Sequence, residues 1–248
     1  MLLDPGTLAL VALVAAGGAV IGAVGGFGTG IVLTAALVPL IGFKAVVPVL
    51  AVAGVLINAG RYWFYRGTAD RGAAWRVLAA SIPAMVLGVW VYSLLDARVL
   101  GLVLGCFVIA SVPLRRILKS RAFAIGPRGL AAGAGIFGFA SGIASATGVI
   151  LVSLLHGAGF GAKVVVATDA LISIFLDIAK AIAFGRFDLL DAPTATLGVI
   201  IGVSTFPGSW LGAWLVERMG ARLHTLALEA LIVIGGLSML WHALSGRA

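Results

Sequence analysis

The sequence predicts an all-α integral membrane protein built from two inverted-topology repeats, each a broken-helix hairpin followed by three transmembrane helices. Three observations carry this prediction. Of the 248 residues, 62% are hydrophobic and 10% charged, with a mean hydropathy of +1.18, whereas soluble domains run near 45–50% apolar and about 25% charged. Long charge-free stretches recur in the same order in both halves of the chain. The basic residues gather in short gaps between these stretches, as the positive-inside rule requires of cytoplasmic loops.

A membrane helix needs roughly 20 apolar residues, and the elements follow in order. The first repeat, residues 1–120, offers a stretch at 5–43 and helices at 44–64, 77–95 and 99–114. The second, residues 121–248, offers a stretch at 129–162 and helices at 163–184, 192–216 and 223–244. The stretches at 5–43 and 129–162 hold 39 and 34 uncharged residues. As single helices they would be about 50–60 Å long, too long for a hydrocarbon core of roughly 30 Å. Each is broken near its middle, at Gly25-Gly26-Phe27-Gly28-Thr29-Gly30 and at Ser141-Gly142-Ile143-Ala144-Ser145-Ala146-Thr147-Gly148. Each then reads either as two arms of a hairpin or as one discontinuous helix crossing once.

Charge decides between them. Arg61, Arg66, Arg71 and Arg76 against Asp70, and Arg115, Arg116, Lys119, Arg121 and Arg128 without an acid, mark two cytoplasmic gaps. Arg186 with Asp188 and Asp191 marks an external one. With one helix at 163–184, the 129–162 stretch must return to its own side, so it is a hairpin. The same reasoning puts the Glu217-Arg218-Arg222 gap inside and both termini outside. The opening Met1-Leu2-Leu3-Asp4-Pro5 lacks the basic region of a signal peptide, so the first apolar run reads as mature protein.

The halves also match residue by residue. Thr29-Gly30 aligns with Thr147-Gly148, Gly42-Phe43 with Gly159-Phe160, and Lys44 with Lys163. Asn58 and Arg61 fall on Asp177 and Lys180, and Pro83, Gly88 and Trp90 on Pro207, Gly212 and Trp214. An odd number of spans, repeated, is the inverted-repeat plan of secondary transporters.

These motifs resemble the TauE/SafE family of sulfite exporters and anion permeases over nearly the whole chain. The resemblance rests on the glycine-rich break before Ile31-Val32-Leu33, the Gly42-Phe43 step, Asn58, Ser141-Gly142, and the run Ala167-Thr168-Asp169-Ala170-Leu171-Ile172-Ser173. Asp169 stands where the family usually has Ser, and residues 144–147 carry less glycine than is usual. The resemblance implies transport of sulfite, organosulfonates or related small sulfur-containing anions across the bacterial inner membrane.

A small anion in an apolar medium must be met by backbone N–H groups, hydroxyls or cations. Helical arms restarting after the breaks would aim their N-termini at the centre. The candidate substrate-binding residues are therefore Gly28, Thr29, Gly30, Asn58, Ser141, Ser145, Thr147 and Gly148. The bland alternative is that they cap helices and permit tight packing. Asp169, Asp177, Arg61 and Lys180 are the coupling or gating candidates, with Asp169 and Glu229 as intramembrane acids lacking an evident sequence partner. Arg61 and Lys180 lie about 26 Å along their helices from Lys44 and Lys163. They read first as end-of-helix residues snorkelling to the interface, with Asp177–Lys180 a local ion pair. His156 reads as structural. Trp63, Trp75, Trp90, Trp214 and Trp241 read as interfacial anchors and Trp210 as packing.

Other classes fit less well. The net charge of +8 and pI of about 10.6 are accounted for by positive-inside loops, so no nucleic-acid partner is expected. Cys106 is the sole cysteine, so no intrachain disulfide and no cysteine metal cluster is expected, nor any cofactor. His156, His224 and His242 have no His-Glu-x-x-His setting, and Ser145 has no neighbouring oxyanion motif, so an enzyme is not expected. An anion channel, or a carrier of a non-sulfur organic anion, is the alternative. The partners expected are a small anion and membrane lipid; the oligomeric state is not legible.

Overall fold

The computed structural model describes residues 5–22, 28–120, 124–145, 147–218 and 221–245. These form ten α-helices and one 3₁₀ turn. The core of the first glycine break, residues 23–27, lies outside the described residues, as do the side chains of Arg115, Arg116, Lys119, Glu217, Arg218, Arg222, Trp210 and Trp214.

Both long apolar stretches are divided where glycine and small polar residues interrupt them. In the first half α1 (Pro5–Gly22) is followed by α2 (Gly28–Ile41), and in the second α6 (Pro127–Ile143) by α7 (Gly148–Gly157). The arms fold back on each other. Gly18 of α1 abuts Leu33 of α2, and Gly133 of α6 abuts Leu154 of α7. The Ile125 N–H just before α6 donates to the Gly157 carbonyl ending α7, at 2.7 Å. The 129–162 segment therefore leaves at the end where it enters, as the charge pattern predicts. At ten residues, α7 is about 15 Å long, half a hydrocarbon core.

Each hairpin feeds a long helix through a glycine that no other residue type would replace comfortably. Gly42 (φ 81°) precedes α3 (Phe43–Tyr65), and Gly159 (φ 90°) stands three residues before α8 (Ala162–Arg186). They are the two positive-φ glycines among the described residues, and they belong to the two Gly-Phe steps that align in sequence.

The remaining helices are α4 (Arg71–Leu94), α5 (Ala97–Ser120), α9 (Ala192–Arg218) and α10 (Ala221–Leu244). Two predicted boundaries need correction. Helix α4 begins six residues before position 77, because the Asp70 carboxylate accepts from the Ala73 N–H at 2.7 Å and caps it there. Helix α5 runs to Ser120 rather than 114, carrying the basic residues after Pro113 within the helix. Arg61 lies inside α3, within the helix expected at 44–64.

Helix α3 packs on α8 and α9, α8 also on α4, α4 on α6, α1 on α9, and α5 on α10; α2 touches α10 and α7 touches α5. Small residues set the closest approaches. A Cβ on Gly142 of α6 would lie 2.7 Å from the Val89 nitrogen of α4, and one on Gly198 of α9 would lie 2.7 Å from the Val49 carbonyl of α3. The Ser81 hydroxyl bridges α4 to the Ala134 carbonyl of α6 at 2.9 Å. Tyr92, fully buried, donates to the Phe43 carbonyl at 2.8 Å and stacks edge-on against Phe184 at 5.2 Å.

The outer surface is apolar. Leu13, Phe64, Ile136, Ile182, Ile234 and Trp241 are each more than 60% exposed, a surface suited to lipid rather than water. Among the described residues, Phe43–Thr68, Arg71–Leu94 and Ala97–Leu114 are long and apolar enough to cross a bilayer. Helix α8 is as long but carries Asp169, Asp177 and Lys180, and these face inward.

Candidate functional site

Helices α3 and α8 run antiparallel through the centre. Thr68 Oγ1 donates to the Lys163 carbonyl at 3.4 Å, and the Asp70 N–H donates to Thr168 Oγ1 at 2.9 Å. Moving back along α3, Arg61 meets Asp169, and Asn58 Nδ2 donates to Asp177 Oδ2 at 3.2 Å. Gly54 makes room for this approach, since a Cβ there would run into the Asp177 carboxylate.

The start of α2 and the break of the second hairpin come to the same place. A cavity of about 110 Å³ is lined by Thr29 and Gly30 from the first turn of α2, and by Ser145, Thr147 and Gly148 from the break before α7. Ser141 of α6, Asn58 and Arg61 of α3, and Asp169, Asp177 and Lys180 of α8 complete its polar wall. Thus seven of the eight sequence-derived binding candidates and all four coupling candidates line one cavity. Gly28 opens α2 immediately before Thr29. Sequence reasoning missed Ser173, Gly54 and Phe137 as lining residues. Ser173 stood in the quoted small-and-polar run of α8, a usable signal; the other two carry none.

Lys180 is 3% exposed and its ammonium is 2.9 Å from Asp177 Oδ1. The predicted local ion pair is present, but the side chain does not snorkel to an interface: it faces the cavity, because its neighbours on α8 are drawn to α3. Arg61 likewise lines the cavity and forms an ion pair with Asp169, a residue without an evident partner in sequence. The four charges balance, two carboxylates against two cations.

That balance leaves some polar valences open. Arg61 engages Asp169 Oδ2, whereas the buried Oδ1 takes no hydrogen bond from the described protein, nor does the buried Ser145 Oγ. The N-cap Thr147 makes no side-chain cap bond. The N-terminal turns of α2 and α7 add unsatisfied backbone N–H groups and the positive ends of two helix dipoles. The arrangement can receive an anion through cations, hydroxyls and amides together.

Elsewhere, Trp63, Trp75, Trp90 and Trp241 are exposed on the outer surface, as anchoring residues would be, and His156 is exposed at the end of α7. Among the described residues no group of His, Cys, Asp and Glu could hold a metal ion. A family model described as sulfite exporter TauE/SafE matches residues 10–239. No curated protein and no solved structure matches the chain.

Proposed function

Since the chain belongs to the sulfite exporter TauE/SafE family, we propose that it is a secondary transporter moving a small sulfur-containing anion, sulfite or an organosulfonate, across the bacterial inner membrane. The observation that carries the proposal is the convergence of the start of α2, the break before α7, the buried Lys180 and the half-buried Arg61 on one cavity. An intramembrane cavity without these features would give an oxyanion no compensation for its lost hydration.

The substrate-binding role goes to Gly28, Thr29, Gly30, Asn58, Ser141, Ser145, Thr147 and Gly148. Arg61, Lys180, Asp169 and Asp177 act as the coupling or gating set. An anion seated on Arg61 or Lys180 deprives a carboxylate of its counter-charge, so one accompanying proton keeps the cavity balanced. This is the proton-coupled form of the proposal.

The alternating-access form rests on two inverted repeats, residues 1–120 and 121–248, with both termini periplasmic. Several features support it. Exchanging α1–α5 for α6–α10 carries most of the main helix neighbours into one another: α4 on α6 becomes α9 on α1, and α3 on α9 becomes α8 on α4. Helices α3 and α8, exchanged with each other, are antiparallel, as a two-fold axis in the membrane plane demands. Asn58 and Asp177 are 119 positions apart, the same offset that relates Lys44 to Lys163 and Arg61 to Lys180. Aligned residues in contact lie on the axis itself.

The test is counterflow in proteoliposomes. Vesicles loaded with unlabelled sulfite should accumulate labelled sulfite transiently, and Thr29→Val or Thr147→Val should abolish the overshoot. Equilibration without overshoot would make the protein a channel, and no movement of any sulfur oxyanion or sulfonate would remove the assignment.

A further inference from the structure

We propose that the cavity selects singly charged oxyanions that carry their own hydrogen-bond donor beside the anionic group, such as a hydrogen-bearing oxyanion or a hydroxy- or amino-substituted sulfonate, over dianions and over donor-free sulfonates. The proposal rests on the anion-carrier reading above and sharpens its substrate class.

The argument begins at Asp169. An anion site would ordinarily exclude a carboxylate, since like charges brought together without screening repel strongly. Here a carboxylate belongs to the wall, 3% exposed at its side chain, with one oxygen held by Arg61 and the other buried without a hydrogen bond. A buried acceptor left without a donor carries a desolvation cost that a correctly placed donor relieves. Beside the Ser145 hydroxyl and the rest of the Arg61 guanidinium in the same wall, the ligand is a source of that donor. Asn58 already donates to Asp177, Lys180 is committed to Asp177, and Arg61 engages the other oxygen of Asp169.

Charge points the same way. Two carboxylates already balance Arg61 and Lys180, so a dianion would leave two uncompensated negative charges in the cavity, and a monoanion one. The helix N-termini of α2 and α7 provide partial positive charge of roughly half a unit each, enough for the monoanion. A donor group on that monoanion, directed at Asp169 Oδ1, turns the remaining repulsion into a charge-assisted hydrogen bond. Ser145 Oγ, also without a partner, is free to serve either the ligand's acceptor oxygens or its donor.

The matched pair isethionate and 1-propanesulfonate isolates the effect, because they share charge and differ by a hydroxyl in place of a methyl. Titration of the purified wild-type protein in detergent should show isethionate binding at least about tenfold more tightly, in keeping with sites built to receive a substrate hydroxyl. Sulfate should be weaker than either. In Asp169→Ala, and in the closer isostere Asp169→Leu, the isethionate preference should collapse to within about twofold. The wild-type comparison decides the matter even if neither variant folds. Equal affinity for the two sulfonates, or a preference that survives loss of Asp169, overturns the inference while leaving an anion carrier in place. No binding of any of the three anions overturns the inference, and sulfite counterflow then decides the carrier reading separately.

Discussion

Arg61 and Asp169 are 108 positions apart, and Asp169 would be a buried, uncompensated charge without Arg61. Removing one partner of such a pair commonly costs about 3–5 kcal/mol, because the survivor is left uncompensated. Arg61→Ala should therefore lower thermal stability in detergent sharply, and adding Asp169→Ala should restore a large part of the loss. A double variant no more stable than the single one would mean that the pair contributes little. Sequence reasoning identified all four charged residues of this cavity and the Asp177–Lys180 pair, but not the pairing of Arg61 with Asp169, because helix spacing relates Asp177 to Lys180 and says nothing about Arg61. A usable signal existed: residues equivalent in two inverted halves, near the helix midpoints, meet if those helices cross on the axis. In the proposed inverted arrangement Asn58 and Asp177, which are in contact, are such residues.

On α6 two glycines three residues apart sit in opposite circumstances. A Cβ on Gly135 meets nothing within 4 Å, whereas one on Gly138 would come within 2.6 Å of the Ser81 Cα in α4. Gly135→Ala should be stabilising by about 0.5–1 kcal/mol through helix propensity. Gly138→Ala should destabilise by about 1–3 kcal/mol through overpacking, and thermal unfolding of the two variants checks both signs. Helix α9 offers a pH test. At its N-terminus the Asp191 carboxylate accepts from the Thr194 N–H at 2.9 Å, and its bonds to Thr194 hold it below the usual carboxylate range. Because the folded value is depressed, this stabilisation is present above the ordinary carboxylate pKa and fades as pH falls through the folded value. Asp191→Asn, which retains an acceptor, should remove that part of the acid dependence without removing the cap; an unchanged acid profile would assign it elsewhere. Element ends were the least legible feature of the sequence. Asp70 pulls α4 back to Arg71, and charged residues that read as a loop became its first turn. The hairpin breaks were legible because glycine and hydroxyl residues interrupt uncharged runs that no single helix could accommodate.

For the molecule as a whole, the proposed topology makes a sided prediction. In a Cys106→Ser background, a cysteine replacing Thr68, exposed in the turn between α3 and α4, should react with a membrane-impermeant maleimide only from the cytoplasm. One replacing Ala192, exposed at the start of α9, should react only from the periplasm. Labelling of both from one side would overturn the inverted arrangement. Hydropathy made the all-helical membrane character legible, since lipid constrains composition directly. The shared cavity was legible only on the proposed relation between the halves, because nothing in either half alone says where it will meet the other.

The hydrogen bond from Asn58 to Asp177 has a bearing on lineage. A pair of identical chains built from the second half alone would set aspartate against aspartate at their common axis, and a pair built from the first half would set amide against amide. Only one of each yields a charge-assisted bond and a seat for the Lys180 ammonium. In the proposed arrangement the two halves have thus ceased to be interchangeable copies: they are complementary partners in a tethered heterodimer, and neither half could be swapped for a duplicate of the other without dismantling the centre of the protein.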